Sequence, residues 1–273
     1  MLETVEETLR RAGTGSPEFE AMWIVEAATK RPRSELLLDP QIRSEDEEDC
    51  HRFAARRASG EPLQYVINLA AFRGVQLTVG PGVFIPRPET ELVAERAMAH
   101  LPHGGRIVDV GTGSGAIALA VSEERSDACV FGTESSPAAL PWAEKNCELL
   151  GKTVDLVLCD LLDGLPPVLE GAFDVVVSNP PYIDPAQLPD IPSEVRDYEP
   201  HAALFSGERG LDVTIRLADA ALRWLKPKGW LVLEVGSDQA QRVVTLLGAA
   251  GYDRVAVSSD LAGRDRIAEA QKP

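Results

Sequence analysis

The chain lacks any run of the ~20 apolar residues that a membrane-spanning helix needs, so no bilayer span is expected. Its four cysteines, Cys50, Cys129, Cys147 and Cys159, form no C-x-x-C pair. The four histidines supply no H-x-x-x-H or mixed cluster either. Cys50 and His51 are the sole adjacency, and neighbours on a helix do not face each other. A structural disulfide or zinc site is therefore not expected, no metal is called for, and the thiols read as buried and inert. Basic residues are scarce, 27 against 43 acidic ones, for a net charge of -16. Arg31-Pro32-Arg33 and Arg56-Arg57 are short clusters with acids nearby. Such a surface repels a phosphate backbone and counts against direct nucleic-acid binding. Met1 to Glu7 is acidic, without the basic start and apolar run of a signal peptide, so a cytoplasmic location is expected.

What is present suits one large domain plus a small one: 273 residues, 44% hydrophobic and 26% charged. Residues 1–62 read as a small helical bundle. Leu2, Val5 and Leu9 sit at helical spacing, and Gly13-Thr14-Gly15-Ser16-Pro17 breaks the pattern. Phe19, Met22, Trp23, Val25 and Ala27 form a second apolar face. Short helices follow over 34–38, with Ser34 as cap, and over 44–58, opened by acids. Residues 63–87 read as a hairpin connector, with strands at 64–67 and 75–79 and a turn near Phe72-Arg73-Gly74. Residues 88–273 alternate. A helix is expected over 89–99, then strands over 106–110, 129–132, 154–158, 173–177 and 230–235, and weaker ones over 255–257 and 266–270. Helices starting at 115 and covering 136–150, 211–225 and 238–250 separate them. Such alternation predicts an α/β fold with a parallel sheet covered on both faces. Trp224 and Trp230 read as core. Residues 184–209 form either a lid or a plain surface loop.

The first strand of this region runs into Gly111-Thr112-Gly113-Ser114-Gly115 and a helix, a turn that brings a ligand close to backbone N–H donors. Alone it is a weak signal, shared with dinucleotide sites and with turns that only pack. Acids stand at three successive strand tips: Asp109, Glu134 and Asp160. Asp109 can face a cationic amino-acid group, Glu134 can accept from ribose hydroxyls, and Asp160 can accept from an adenine amino group. Acids at the first and third tips suit a sulfonium better than a pyrophosphate dianion, which points to S-adenosylmethionine.

The fourth strand ends in Ser178-Asn179-Pro180-Pro181-Tyr182. Tandem prolines stop the ladder and hold two φ angles near about -65°. The Asn179 side chain and the Pro180 carbonyl then become two fixed acceptors for the two hydrogens of a planar –NH₂, with Tyr182 flat against it. The bland alternative is a turn residue followed by a strand terminator.

Asn-Pro-Pro-Tyr belongs to amino-methyltransferases acting on adenine, cytosine or glutamine nitrogens. Together with Phe84-Ile85-Pro86-Arg87-Pro88-Glu89-Thr90-Glu91, the glycine turn, Gly60-Glu61-Pro62 and Tyr198-Glu199-Pro200, it makes the whole chain resemble the protein-glutamine methyltransferase family. The resemblance implies a Rossmann-like class I S-adenosylmethionine methyltransferase sheet behind an N-terminal substrate-recognition domain. It implies methyl transfer to N5 of the glutamine in the Gly-Gly-Gln motif of peptide chain release factors, leaving S-adenosyl-L-homocysteine. Gly111 to Gly115, Glu134, Leu161 beside Asp160, and Asn179 are then the cofactor contacts, and Asn179 to Tyr182 hold the glutamine. Arg87 either meets the release factor or braces the connector. A monomer is expected. A glutamine on a ribosomal protein, a nucleic-acid amino group, and a silent binding module are the competing readings. Two departures stand out: Glu134 where the family usually has Asp, and Asn68 where it often has Gly, Asn being the residue that best tolerates the same left-handed backbone.

Overall fold

Apolar residues at helical spacing organise the first 67 residues into five helices in the computed structural model, which describes residues 1–273. They are α1 (Leu2–Ala12), α2 (Pro17–Thr29), α3 (Arg33–Leu38), α4 (Ser44–Ala58) and α5 (Leu63–Ile67). Val5 and Leu9 of α1 meet Met22, Val25 and Ala28 of α2, Leu36, Cys50, Ala54 and Val66 in one core. Two expectations need correction here. The buried stripe of α2 runs through Ala21, Met22, Ile24, Val25 and Ala28, whereas Phe19 and Trp23, one turn apart, face outward. The cap of α3 is Pro32, with Ser34 inside the helix.

A third correction concerns residues 64–67, which form α5 rather than a strand. Tyr65-Val66-Ile67 has strand-like composition, yet Tyr65 and Val66 are consecutive and both fully buried, which a one-sided strand does not allow. Asn68 ends α5 with φ 54, the left-handed conformation expected of it, and its Nδ2 donates to the Val79 carbonyl at 3.1 Å. The hairpin lies one step later, as β1 (Ala70–Phe72) and β2 (Val75–Leu77). Arg73 and Gly74 both have positive φ, as a two-residue hairpin turn requires.

Next come α6 (Thr90–His100), β3 (Arg106–Val110), α7 (Ala116–Glu124), β4 (Cys129–Glu134), α8 (Leu140–Leu150), β5 (Asp155–Leu158) and β6 (Phe173–Ser178). After α9 (Ser193–Tyr198) follow α10 (Asp212–Trp224), β7 (Leu225–Glu234), α11 (Ala240–Ala249), β8 (Asp253–Ser259) and β9 (Asp265–Gln271). One seven-stranded sheet has the order β5-β4-β3-β6-β7-β9-β8. It is parallel from β5 to β7, and β9 is antiparallel to both β7 and β8. Side chains alternate between two cores. Val108, Val176, Leu231 and Leu233 pack on one face, while Ile107, Val175, Val177 and Val232 pack on the other with α6 and α7. Burial on both faces explains the uninterrupted apolar runs.

The chain divides into two compact units. Residues 1–69, 79–81 and 191–198 form the helical one, and 70–78, 82–190 and 199–273 form the sheet one. The thiols are free. Cys50 is buried, but Cys129 at the start of β4 is exposed, contrary to expectation, and Cys147 and Cys159 are half-buried. Burial pushes the Cys50 thiol up to about 11, with Asp46 adding to it, so it is unreactive.

Candidate active site

Every parallel strand of this sheet delivers its carboxyl end to the same side, and the order in which strands are added reverses between β3 and β6, where open α/β sheets bind ligands. Two loops meet at that switch point, the glycine turn after β3 and Asn179-Pro180-Pro181-Tyr182 after β6. The Ser178 hydroxyl ties them, donating to the Val110 carbonyl at 2.6 Å.

In the glycine turn, the Gly111 and Thr112 amides both donate to the Thr133 carbonyl, at 2.8 and 2.9 Å. Gly111 has φ 74, and a Cβ added there would meet nothing within 4 Å, so the turn leaves open space along its backbone. From behind, Asn146 of α8 donates to the Ser114 carbonyl at 2.9 Å. Ser114 and Thr112 are themselves buried, so the turn presents backbone rather than hydroxyls.

The three strand-tip acids have different surroundings. Asp109 is buried beneath the turn, where Oδ2 accepts from the Thr112 hydroxyl (2.7 Å) and the Ala118 amide (3.2 Å) at the start of α7. It therefore caps that helix, and its Oδ1 is buried with no partner. Glu134 receives the Gly113 amide (2.9 Å) on Oε2 and the Ser136 amide (2.8 Å) on Oε1. Asp160 is exposed and paired with Arg216 of α10 at 2.5 Å. It stands beside Cys159, whose amide donates to the Glu134 carbonyl at 2.8 Å. Leu161 has φ 51, a strained left-handed backbone of the kind that concentrates at binding sites.

Burial raises Asp109 from the ordinary 3.8 to about 7, against the opposing pull of its Thr112 and Ala118 bonds. A carboxyl whose pKa is raised on folding stabilises the fold below its unfolded value, and that contribution is lost as pH rises through the folded value. Asp109→Asn is thus expected to remove a pH-dependent loss on the order of 4 kcal/mol. Urea midpoints of ligand-free wild type and variant, taken from about pH 4 to about pH 8, should diverge with the wild type falling faster.

Around the second loop the structure reveals a network that sequence patterns missed. Asn179 Nδ2 donates to Thr90 Oγ1 at 3.1 Å. The Thr90 hydroxyl donates to Glu234 Oε2 at 2.6 Å, and the Tyr182 hydroxyl donates to Glu234 Oε1 at 3.1 Å. Glu234, the last residue of β7, is buried, which raises its pKa; Thr90, Tyr182 and Arg266 pull it back. Burial, then the negative Glu234, pushes the Tyr182 phenol up, so it stays neutral and a donor. Because Nδ2 is committed to Thr90, Oδ1 is the end of the Asn179 amide that is available to an incoming donor.

Gln239 holds the loop from outside, Nε2 donating to the Tyr182 carbonyl (2.7 Å) and the Arg209 carbonyl (2.9 Å). Gly210 passes so close that a Cβ there would lie 2.0 Å from the Tyr182 carbonyl oxygen, which no other residue type tolerates. Arg87 pairs with the buried Glu199, whose other oxygen accepts the Ile85 amide at 3.2 Å, and lies 4.7 Å over the Phe84 ring. The structure thus engages Arg87 in bracing its own segment. The 184–209 loop is also anchored. Asp184 accepts the Arg209 amide at 2.9 Å, Glu194 accepts from Arg57 at 2.9 Å, and the Tyr198 hydroxyl donates to the Ser59 carbonyl at 3.2 Å. Trp224 is core, whereas Trp230 is half-buried and stacks on His100 at 3.8 Å. No group of three or more His, Cys, Asp and Glu is arranged to hold a metal ion.

Known proteins resemble this chain over nearly its whole length. Residues 1–67 match the family described as the PrmC N-terminal domain, and residues 76–191 match the methyltransferase small domain. The release factor glutamine methyltransferase of Geobacter sulfurreducens is 38% identical over 261 residues, 95% of this chain and 91% of that protein. The one of Streptomyces coelicolor is 40% identical, over 97% of this chain and 94% of that protein. A solved methyltransferase from Pyrococcus furiosus shares the fold with a TM-score of 0.55 and 20% identity, covering 73% of this chain and 89% of that one. The expected Rossmann-like class I methyltransferase sheet is therefore the one observed. With near-full-length relatives at this level of identity, the chain belongs to the release factor glutamine methyltransferase family.

Proposed function

We propose that this protein transfers a methyl group from S-adenosyl-L-methionine to N5 of the glutamine in the Gly-Gly-Gln motif of peptide chain release factors. The observation that carries the reading is the Asn179 amide, whose Nδ2 is committed to Thr90 so that Oδ1 is left to accept, at the carboxyl end of β6 beside an open glycine turn.

The residues present suit the cofactor. The open space at Gly111 is a cradle that a Cβ would fill, and Asp109 holds the turn from beneath it through Thr112 and Ala118. Asp109, Gly111, Thr112, Gly113, Ser114, Gly115, Glu134, Asp160, Leu161 and Asn179 would hold it. Thr112 and Ser114 serve through their backbone, Asp109 by shaping the turn, and Glu134 through the acceptor capacity left on its two oxygens. Glu134 is one methylene longer than the family's usual Asp. When bound, the sulfonium supplies an electron-poor methyl group, and S-adenosyl-L-homocysteine is left.

An amide N–H is too weakly acidic for a side-chain base to remove before attack, so the nitrogen reacts as the neutral amide. The chain's contribution is placement. Asn179 Oδ1 takes one hydrogen of the glutamine –NH₂ and the Pro180 carbonyl the other, which fixes the direction of the nitrogen lone pair. As positive charge develops on nitrogen, the same two oxygens stabilise it, and one N–H proton is then lost to solvent, leaving the neutral N-methyl amide. Tyr182, tethered by its hydroxyl, lies against the amide plane. Arg87 belongs to this substrate site chiefly by holding the segment that leads into Thr90.

The helical unit is read as the part that recognises the release factor, and the protein as a monomer acting in the cytoplasm. No helix is long and apolar enough to cross a membrane, and the charge of -16 disfavours nucleic acid as substrate. Incubation with labelled S-adenosyl-L-methionine, offered separately to purified release factor, ribosomal proteins, DNA and RNA, tests the assignment. Label is expected on release factor, and label confined to any other acceptor overturns it.

A further inference from the structure

We infer that Glu234 is a positioning residue that sets the polarity of the Asn179 amide through the Thr90 hydroxyl and at the same time orients Tyr182. This deepens the function proposed above and rests on it. Glu234 sits at the carboxyl end of β7, directly beside β6, since Ser178 is in register with Leu233. A carboxylate only accepts hydrogen bonds. In the observed geometry Glu234 accepts on both oxygens, and the Thr90 hydroxyl, 2.6 Å from Oε2, gives its one proton to it. Its lone pairs can then only accept, and what they accept is an N–H of Asn179, at 3.1 Å. A neutral amide at 234 would remove that constraint, because its NH₂ end can donate to Thr90 and let the hydroxyl turn round to Asn179. The second carboxylate oxygen does the same for the phenol at 3.1 Å, so one group commits two side chains of the acceptor site. Burial works against the ionised form of this carboxylate, the Thr90 and Tyr182 hydroxyls and the Arg266 charge favour it, and Glu89 opposes it. Thr90 and Glu234 are buried, while Asn179 and Tyr182 are half-buried, so the polarity choice carries its weight at the Thr90–Glu234 end, where a mismatched donor pair is costly.

The test compares the full-length wild type with Glu234→Gln, Thr90→Val, Thr90→Ser and the double variant Glu234→Gln/Thr90→Val. Glu234→Gln is expected to lower kcat on release factor by about 10- to 100-fold while KM for S-adenosyl-L-methionine stays within about threefold. Thr90→Val should fall to a similar degree, Thr90→Ser should recover most of that loss, and the double variant should be no worse than either single change. A second readout needs neither cofactor nor substrate. In ligand-free protein the Asn179 side-chain amide signals, assigned through Asn179→Ala, should shift and exchange faster in Glu234→Gln. An unshifted Asn179 amide together with a wild-type kcat overturns the inference. So does a loss of kcat matched by an equal loss of cofactor affinity and of thermal stability, which would mark a purely structural role. A wild type that leaves release factors unmethylated would instead sink the function proposed above, and the amide signals would still decide this one.

Discussion

Replacing Asn179 by alanine is expected to lower kcat for glutamine methylation by about 10²- to 10³-fold, the usual cost of losing one preorganised hydrogen-bonding group at a developing charge. The cofactor turn is built by Thr133, Glu134 and Asn146 and stays intact in this variant, so affinity for S-adenosyl-L-methionine should change by less than about tenfold. Asn179→Asp separates the acceptor from its orientation. It keeps an oxygen toward the substrate, loses the donor to Thr90, and places a second carboxylate near Glu234. Its rate should lie well below wild type, and single-turnover kinetics with saturating cofactor would show it.

The second large effect is expected at Gly111. An alanine there must adopt φ near 74, at a cost of about 1–2 kcal/mol, but its methyl meets nothing in the chain. The fold should survive with a modestly lower Tm, while cofactor affinity falls by about 100-fold because the methyl occupies the cradle. Gly151→Ala is the matched control. It has φ 61 at the end of α8 and equally empty surroundings, so it should share the drop in Tm and leave affinity unchanged. Calorimetric titration with S-adenosyl-L-homocysteine distinguishes the two. Equal affinities in both variants would place the cofactor elsewhere.

The parts of this site legible in the sequence are those whose physics is local. Strands buried on both faces announce themselves as apolar runs, and β3, β4, β6 and β7 do so. Tandem prolines after a strand announce a fixed loop, and acids before glycine turns announce a strand tip. Glu234 and Thr90 were not legible as partners. They are 144 residues apart, and only the β6–β7 register and the placement of α6 bring them together. Asp109 was legible as an acid but not as the cap of α7, because a buried carboxylate and a ligand-facing one look alike in one dimension. Composition misled at Tyr65-Val66-Ile67, where packing against α2 and α4 overrode strand propensity, and at Trp23, where an aromatic on a helix faces water. Arg87 was ambiguous for a related reason: Glu199, which claims it, lies 112 residues away.

The central claim is that an Asn179 amide of set polarity presents a protein glutamine to a methyl donor. Peptide mass analysis of release factor after incubation with wild type and Asn179→Ala tests it most directly. One added methyl group on the Gly-Gly-Gln glutamine, present with wild type and absent with the variant, is the predicted result. A methyl on any other residue, or the same methylation by both proteins, would contradict the claim.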